Sequence, residues 1–181
     1  MGLFSTVMHI RQVPASELMP SLDLVMQAYG FVRRSNAPVS DRTPELPDDD
    51  ILGYACGPLR GEWCTVVQLH FYADGIPSPS DVGSDLSKRL NTHVLSLEVH
   101  DGDVFYYQLD KGGTRLDHYN SDPMYFHFKE GPLAESEVEA LRHHPESFAP
   151  LLPAEVPLDS LVALLARGWW RAVCSKSAIG I

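Results

Sequence analysis

Two histidines and a carboxylate in the middle of the chain, His100, Asp103 and His118, have the residue types of a metal site. Two imidazoles and one carboxylate suit a divalent transition metal, which can activate water for hydrolysis. The pair His100-Asp101 also occurs in metal-dependent phosphohydrolases, but there it lies on a helix. Here Asp101 precedes Gly102, and Asp-Gly is a strong signal for a hairpin turn. We therefore favour the turn and keep a small metal-dependent hydrolase, with its site between residues 100 and 118, as an alternative.

The three cysteines, Cys56, Cys64 and Cys174, contain no C-x-x-C pair. Their odd number and wide spacing do not fit the disulfide framework of a secreted protein. Cys56 and Cys64 fall in predicted strands, where cysteine usually packs as a small apolar residue. A nucleophilic pair of Cys64 with His70 or His93 is a second catalytic alternative, and it rests on composition alone.

Common catalytic motifs are absent from the sequence. It has no G-x-x-x-x-G-K-[ST] phosphate loop, no G-x-G-x-x-G, no G-x-S-x-G, no S-x-x-K and no H-E-x-x-H. We therefore expect no cofactor. Several carboxylates in the segment 93–119 are predicted to form a solvated edge, at turns or on the face opposite the alternating apolar residues; they are Glu98, Asp101, Asp103, Asp110 and Asp117.

Acidic and aromatic residues offer a binding surface instead of a catalytic one. The segment 36–50 is rich in proline and aspartate and is predicted to be an exposed, negatively charged loop. Tyr106 alternates with its aromatic neighbours along a predicted strand, so it is a candidate for the exposed face, and tyrosine is enriched at interfaces. Trp169 and Trp170 are adjacent on a predicted helix and point about 100° apart, so burying both requires a wide contact or a partner. Packing within the chain is the alternative for these aromatic residues.

The composition is that of an acidic globular protein. The chain has 181 residues, with 14 Lys plus Arg against 24 Asp plus Glu, so the formal net charge is -10. A field of this sign disfavours binding to nucleic acid and to anionic membrane surfaces. The sequence shows neither a signal peptide nor an apolar stretch long enough to cross a bilayer, which predicts a cytoplasmic protein.

Periodicity predicts an α+β fold. The expected elements are a strand at 4–13, a helix at 16–29, strands at 51–57 and 62–72, a helix at 81–90 capped by Ser80, three strands between 93 and 119, and helices at 134–142 and from 157. The first part has the order of a split βαβ unit, followed by a β-meander. We expect an antiparallel sheet with helices on one face, formed by a core domain at 1–130, and a C-terminal helical extension at 131–181 packed on it.

One segment resembles a family of uncharacterised bacterial α+β proteins. It covers residues 86–126 and reads LSKRLNTHVLSLEVHDGDVFYYQLDKGGTRLDHYNSDPMYF. The shared features are a helix with Leu-Ser, a strand, a turn containing aspartate, an aromatic strand and a final S-x-P-x-Y-F-like run. This resemblance implies no activity and no catalytic residue. The chain is also similar in type, although not in motif, to immunity proteins that neutralise bacterial toxins.

These observations favour a non-enzymatic protein that binds another protein, with an immunity-like role as one form. The partner is expected to be basic, because opposite charges accelerate association and improve specificity. The predicted binding residues are Asp48, Asp49, Asp50, Tyr106, Trp169 and Trp170. Besides the metal-dependent hydrolase, a structural or assembly subunit remains an alternative.

Overall fold

Six strands and two long helices form most of the structure. The computed structural model describes residues 5–33, 53–69, 76–100, 104–122, 133–140, 144–160 and 163. The elements in chain order are β1 (Ser5–Arg11), α1 (Ala15–Ala28), β2 (Gly53–Cys56), β3 (Trp63–Leu69), α2 (Pro79–Leu90), β4 (His93–His100), β5 (Val104–Lys111), β6 (Thr114–Asn120), α3 (Glu135–Ala140) and a 3₁₀ helix (Pro145–Leu151).

The strands form one sheet in the order β2-β3-β1-β4-β5-β6, and every neighbouring pair is antiparallel. β3 lies between β1 and β2, which α1 connects, so the first four strands have the split βαβ arrangement. β4, β5 and β6 follow as a meander. The turn between β5 and β6 uses positive φ at Gly112 and Gly113, as their sequence predicts. The α+β fold is thus confirmed.

The main core lies between the sheet and the two helices. α1 buries the stripe expected from its 3.6-residue periodicity, including Leu18, Leu22 and Val25. These side chains pack against one face of the sheet and against α2; the fully buried members there include Met8, Ile10, Val66, Val82, Leu86 and Val94. We refer to this face as the helix side of the sheet, and to the opposite one as the far face.

α2 begins earlier than its periodicity indicates. Ser78 is the N-cap, and its hydroxyl accepts a hydrogen bond of 3.1 Å from the backbone N–H of Asp81. Pro79 then occupies the first helical position, where its fixed φ is favourable. Ser80, which the sequence predicted as the cap, is therefore inside the helix, and it lies buried against the sheet.

The segment Pro145–Leu151, which lies between the two helices predicted at 134–142 and from 157, forms the 3₁₀ helix. Phe148 of this helix contacts Tyr107 on the far face, with the ring centroids 5.5 Å apart in an edge-to-face geometry. This aromatic contact explains why a segment rich in proline is ordered, since burial of two rings compensates for the poor helix propensity. α1 and α2 lie on the helix side as predicted, while the 3₁₀ helix covers the β5–β6 end of the far face.

Gly83 of α2 lies directly over Ser96 of β4. A Cβ at position 83 would overlap the Ser96 hydroxyl oxygen, whereas its other neighbours would be at ordinary distances. We expect Gly83→Ala to lower the free energy of unfolding by about 1 kcal/mol through overpacking. In a Ser96→Ala background the overlap is gone. Gly83→Ala should then raise the free energy of unfolding by up to about 1 kcal/mol, because alanine is a better helix former than glycine. Urea denaturation of the four proteins tests this, and an effect of the same sign in both backgrounds would contradict the packing.

Candidate functional site

A continuous row of polar side chains crosses the helix side of the sheet near one end of the strands. The pairing registers of all six strands align its members, one from each strand: Tyr54, Gln68, Thr6, Glu98, Tyr106 and Asn120. We call this set the polar row. Thr6, Gln68 and Asn120 are buried and the other three are half-buried. A polar row on the covered face of a sheet is unusual, because buried polar groups require partners.

Glu98 is the acidic member of the polar row. One carboxylate oxygen accepts a hydrogen bond of 3.4 Å from the Ser80 hydroxyl, and the other lies 3.4 Å from His100 Nε2. Burial raises the pKa of Glu98, although the bonds to His100 and Ser80 act in the opposite direction. The carboxyl group therefore keeps its proton to a higher pH than it would in water.

The polar network continues along β5. Tyr106 donates to Gln108 Oε1 at 3.1 Å, and Gln108 Nε2 donates to Asp110 Oδ2 at 2.8 Å. Asp110 is fully buried, and its Oδ1 has no hydrogen-bond partner among the described residues. Burial raises the pKa of Asp110, while Gln108 and Arg115 lower it. Two carboxyl groups whose pKa is raised by burial thus lie beneath α2, whereas the sequence predicted a solvated edge.

The raised pKa of Glu98 has a consequence for stability. A carboxyl group whose folded-state pKa exceeds its unfolded value stabilises the fold below the unfolded pKa, and this contribution is lost as the pH rises through the folded pKa. Glu98→Gln cannot ionise, so the free energy of unfolding of this variant, relative to the wild type, should increase as the pH rises from about 4 to 7. Urea denaturation across this range measures the difference, with the exposed Glu155→Gln as control. A difference that stays constant with pH would contradict the assignment.

On the far face, the residues at the same level of the sheet are apolar. In four of the strands, the residue next to the polar-row member lies on the far face. These four neighbours pair with one another across β2, β3, β1 and β4: Ala55, Val67, Val7 and Leu97. We call these four the apolar row. All four are half-buried, and among the described residues the only helix shown packed on this face is the 3₁₀ helix, at its β5–β6 end. The usual sidedness of a sheet, apolar toward the helices and polar away from them, is therefore inverted here.

The apolar row continues into an aromatic cluster where the 3₁₀ helix packs. Leu97 pairs with Tyr107, which pairs with Tyr119. The Tyr107 ring lies 5.6 Å from that of Tyr119 and 6.1 Å from that of Phe105, measured between ring centroids. Phe148 completes the cluster from the 3₁₀ helix. This end of the far face is covered, and the part of the face that no described helix covers lies between the 3₁₀ helix on one side and β2 on the other.

Asp117 attaches the 3₁₀ helix to the sheet. Its carboxylate accepts hydrogen bonds from the Tyr107 hydroxyl at 2.8 Å and from the backbone N–H of His144 at 3.1 Å, and one oxygen lies 3.2 Å from His144 Nδ1. Burial, followed by the bond to Asp117, raises the pKa of Tyr107. The Asp117 side chain is fully buried, while that of His144 is half exposed. The sequence placed Asp117 on a solvated edge, whereas it is the central acceptor of this contact.

The structure separates the residues of the catalytic alternatives. His100 lies opposite Val104 of β5, and His118 lies opposite Gln108 of the same strand, on its other side. The two histidines are therefore two strands and four positions apart, or about 10 Å across the sheet and 13 Å along it. Asp103 lies outside the described residues. Within the described part of the chain, no group of three His, Cys, Asp or Glu side chains could hold a metal ion.

The proposed nucleophilic pair is separated as well. Cys64 pairs with Ile10 on the helix side, whereas His93 alternates with Val94 and so belongs to the far face. His70, the other suggested base, lies outside the described residues. The sequence missed a different neighbour of Cys64: the thiol of Cys56 is 3.5 Å away.

Of the predicted binding residues, only Tyr106 lies in the described part of the chain. It belongs to the polar row, is half-buried, and donates its hydroxyl hydrogen bond to Gln108. It is therefore on the helix side and not on the far face. Asp48, Asp49, Asp50, Trp169 and Trp170 lie outside the described residues. The far-face candidates, Val7, Val67 and Leu97, were missed because alternation identifies the two faces of a strand but not which one is covered.

A shallow groove between α1 and α2 is the other candidate surface. Its volume is about 690 Å³, and its lining combines apolar residues such as Leu24 with charged ones such as Asp85 and Arg89. Tyr29 of the loop after α1 donates a hydrogen bond of 2.8 Å to Asp85, which ties the two helices together beside the groove. The groove also includes the buried Ser21, and it is the competing binding surface on the helix side of the molecule.

Comparison with known proteins adds no relative: no family model, no curated protein and no solved structure matches the chain. No helix in the described ranges has the length and apolar character required to span a membrane.

Proposed function

We propose that this chain is a non-enzymatic binding protein that receives a basic partner protein on the part of its far face that no described helix covers. The observation that carries the proposal is the apolar row, Ala55, Val67, Val7 and Leu97, which crosses four strands on the side opposite α1 and α2. An immunity-like protein, which neutralises a basic toxin by stoichiometric binding, is one form of this function.

The apolar row supports an interface because leaving it in water is unfavourable. Burying apolar surface contributes roughly 25 cal/mol for each Å² removed from water. A contiguous apolar patch that keeps part of its surface in water is a candidate binding site, and all four members of the apolar row are only half-buried. The polar residues that would normally face solvent at this level, such as Thr6 and Gln68, are instead buried on the helix side. Because side chains alternate along β1 and β3, Val7 and Val67 therefore lie on the far face, where the proposed partner binds.

The charge of the C-terminal part of the chain, which includes the 3₁₀ helix, supports a basic partner. The described residues of 133–140 and 144–160 contain carboxylates but no lysine or arginine; these acids are Glu135, Glu137, Glu139, Glu146, Glu155 and Asp159. Glu146 belongs to the 3₁₀ helix and acts electrostatically on Tyr107, which is paired with Leu97 of the apolar row. On β1, the cationic Arg11 is paired with Glu62 at 2.6 Å. A partner with apolar side chains at its centre and cations at its rim fits this arrangement.

The proposal is tested by capturing the partner and measuring the association. The immobilised chain is exposed to an extract of its source cells, the retained protein is purified, and calorimetric titrations are performed at low and high salt. We expect a basic protein that binds in a one-to-one ratio, with weaker affinity at high salt because its charges are screened. Retention of an acidic protein, or an affinity independent of salt, would contradict the proposal.

Sedimentation velocity of the purified chain separates this proposal from the structural-subunit alternative. A binding protein with a foreign partner is expected to sediment as a monomer at micromolar concentration. A stable oligomer that dissociates when Val7 is replaced by lysine would assign the apolar row to self-assembly instead.

A further inference from the structure

Two thiols are in contact at the edge of the sheet. Cys56 ends β2, and Cys64 is the second residue of β3; their sulfur atoms are 3.5 Å apart. Cys56 is paired with Val66, so Cys64 is its diagonal neighbour on the same face. Both thiols also lie near the Gly57 carbonyl oxygen, at 3.5 Å for Cys56 and 3.2 Å for Cys64. Both cysteines are reduced in this arrangement.

The two cysteines differ in exposure, which gives them different roles. Cys64 is fully buried in the core, whereas Cys56 is only half-buried. β2 has four residues and lies at the edge of the sheet, where it pairs with β3. A small reagent can therefore reach Cys56 first, and Cys64 is placed to react only with what has formed on Cys56.

We propose that Cys56 and Cys64 are a redox-active dithiol, which closes to an intramolecular disulfide by exchange with a low-molecular-weight disulfide. In the first step, the deprotonated Cys56 attacks one sulfur of the reagent, and the second sulfur leaves as a thiolate. In the next, Cys64 loses its proton to solvent and attacks Cys56 Sγ, which expels the other half of the reagent as a thiol. The protein loses two electrons and two protons, and the reagent disulfide becomes two thiols. This property does not depend on the proposed binding function.

Closure of the disulfide requires a small movement of the backbone. Diagonal neighbours on antiparallel strands have Cα atoms about 7–8 Å apart, whereas a disulfide usually spans up to about 6.8 Å. The sulfur atoms must approach from 3.5 Å to about 2 Å. Cys56 is the last residue of the four-residue edge strand β2, and the hydrogen bond from the Gly57 N–H to the Thr65 carbonyl, 2.8 Å long, is the pairing contact that this movement must loosen.

The environment of the pair makes the exchange slow at neutral pH. Burial, followed by the contact with Cys64, raises the pKa of Cys56 to about 12. The thiolate is the reactive species, so the initial rate should increase about tenfold for each pH unit between 7 and 9. The pair thus responds to sustained oxidation and is not suited to rapid catalysis of disulfide exchange.

The test uses the full-length Cys174→Ser variant, in which only the two contacting thiols remain. The folded protein is incubated with oxidised glutathione at pH 8.5, acidified, alkylated and digested with trypsin. Cleavage after Arg60 separates the two cysteines, so an internal disulfide appears as two linked peptides. We expect this linked pair as the main product, and its loss after treatment with dithiothreitol.

Two further variants identify the order of the steps. In Cys64→Ser, the reaction should stop at a glutathione adduct on Cys56, because the second thiol is missing. In Cys56→Ser, Cys64 should remain unmodified while the protein stays folded, as monitored by circular dichroism. The proposal is overturned if the Cys174→Ser protein accumulates the glutathione adduct without forming linked peptides. It is also overturned if both thiols remain free under conditions that fully oxidise an exposed cysteine introduced at Ser160.

Discussion

Replacement of Asp117 by alanine is expected to lower the free energy of unfolding by about 3 kcal/mol, because it leaves buried donors without their acceptor. The Tyr107 hydroxyl and the backbone N–H of His144 both donate to this carboxylate, at 2.8 Å and 3.1 Å. Each lost bond removes part of the attachment between the 3₁₀ helix and the sheet. The Tyr107–Phe148 contact should loosen at the same time.

Urea denaturation monitored by far-UV circular dichroism measures the effect of Asp117→Ala. Glu155→Ala removes an exposed carboxylate from the same C-terminal part of the chain and should change the free energy of unfolding by less than about 0.5 kcal/mol. Asp117→Asn keeps one acceptor oxygen, so its free energy of unfolding should lie between those of Asp117→Ala and Glu155→Ala. Equal stabilities for Asp117→Ala and Glu155→Ala would show that the 3₁₀ helix is held by other contacts.

The second large effect concerns binding. Val7→Lys should weaken the affinity for the captured basic partner at least tenfold, equivalent to about 1.4 kcal/mol. Val7 is at the centre of the apolar row, between Val67 and Leu97, and central interface positions contribute most of the binding energy. The lysine removes an apolar contact and also places a cation against a basic surface. Because Val7 is only half-buried, the lysine side chain can reach water and the fold should be retained.

Leu24→Lys is the matched control for Val7→Lys. Leu24 is 45% exposed, lies on α1, and lines the groove between α1 and α2. The same substitution there should leave the affinity within about twofold of the wild type, since the far face is unaffected. Calorimetric titration of both variants with the purified partner gives the comparison. A large loss with Leu24→Lys and none with Val7→Lys would move the interface to the groove.

Local signals in the sequence predicted the elements of the fold well. The meander follows from alternation together with glycine turns, and the α1 stripe follows from its periodicity. The start of α2 was misplaced because serines occur at both 78 and 80, and only the first precedes the proline at the N1 position. The 3₁₀ helix was missed because its stability comes from the contact of Phe148 with a strand distant in sequence.

The candidate site was much less predictable, since it depends on how the strands pair and on which face of the sheet the helices cover. Sequence alternation placed Leu95 and Leu97 on one face of β4, but it could not show that the helices would cover the other. The contact between Cys56 and Cys64 requires the pairing of β2 with β3, which no local pattern specifies. Asp117 was assigned to solvent because its partner His144 is far along the chain.

Methyl NMR of the chain during titration with the purified basic partner tests the binding proposal most directly. In a sample labelled at leucine and valine methyl groups, we predict the largest chemical-shift changes at Val7, Val67 and Leu97, in the apolar row. The Leu24 methyl groups, in the groove on the other side of the molecule, should remain unchanged. Shifts at Leu24 with unchanged apolar-row methyl groups would contradict the far face as the binding surface.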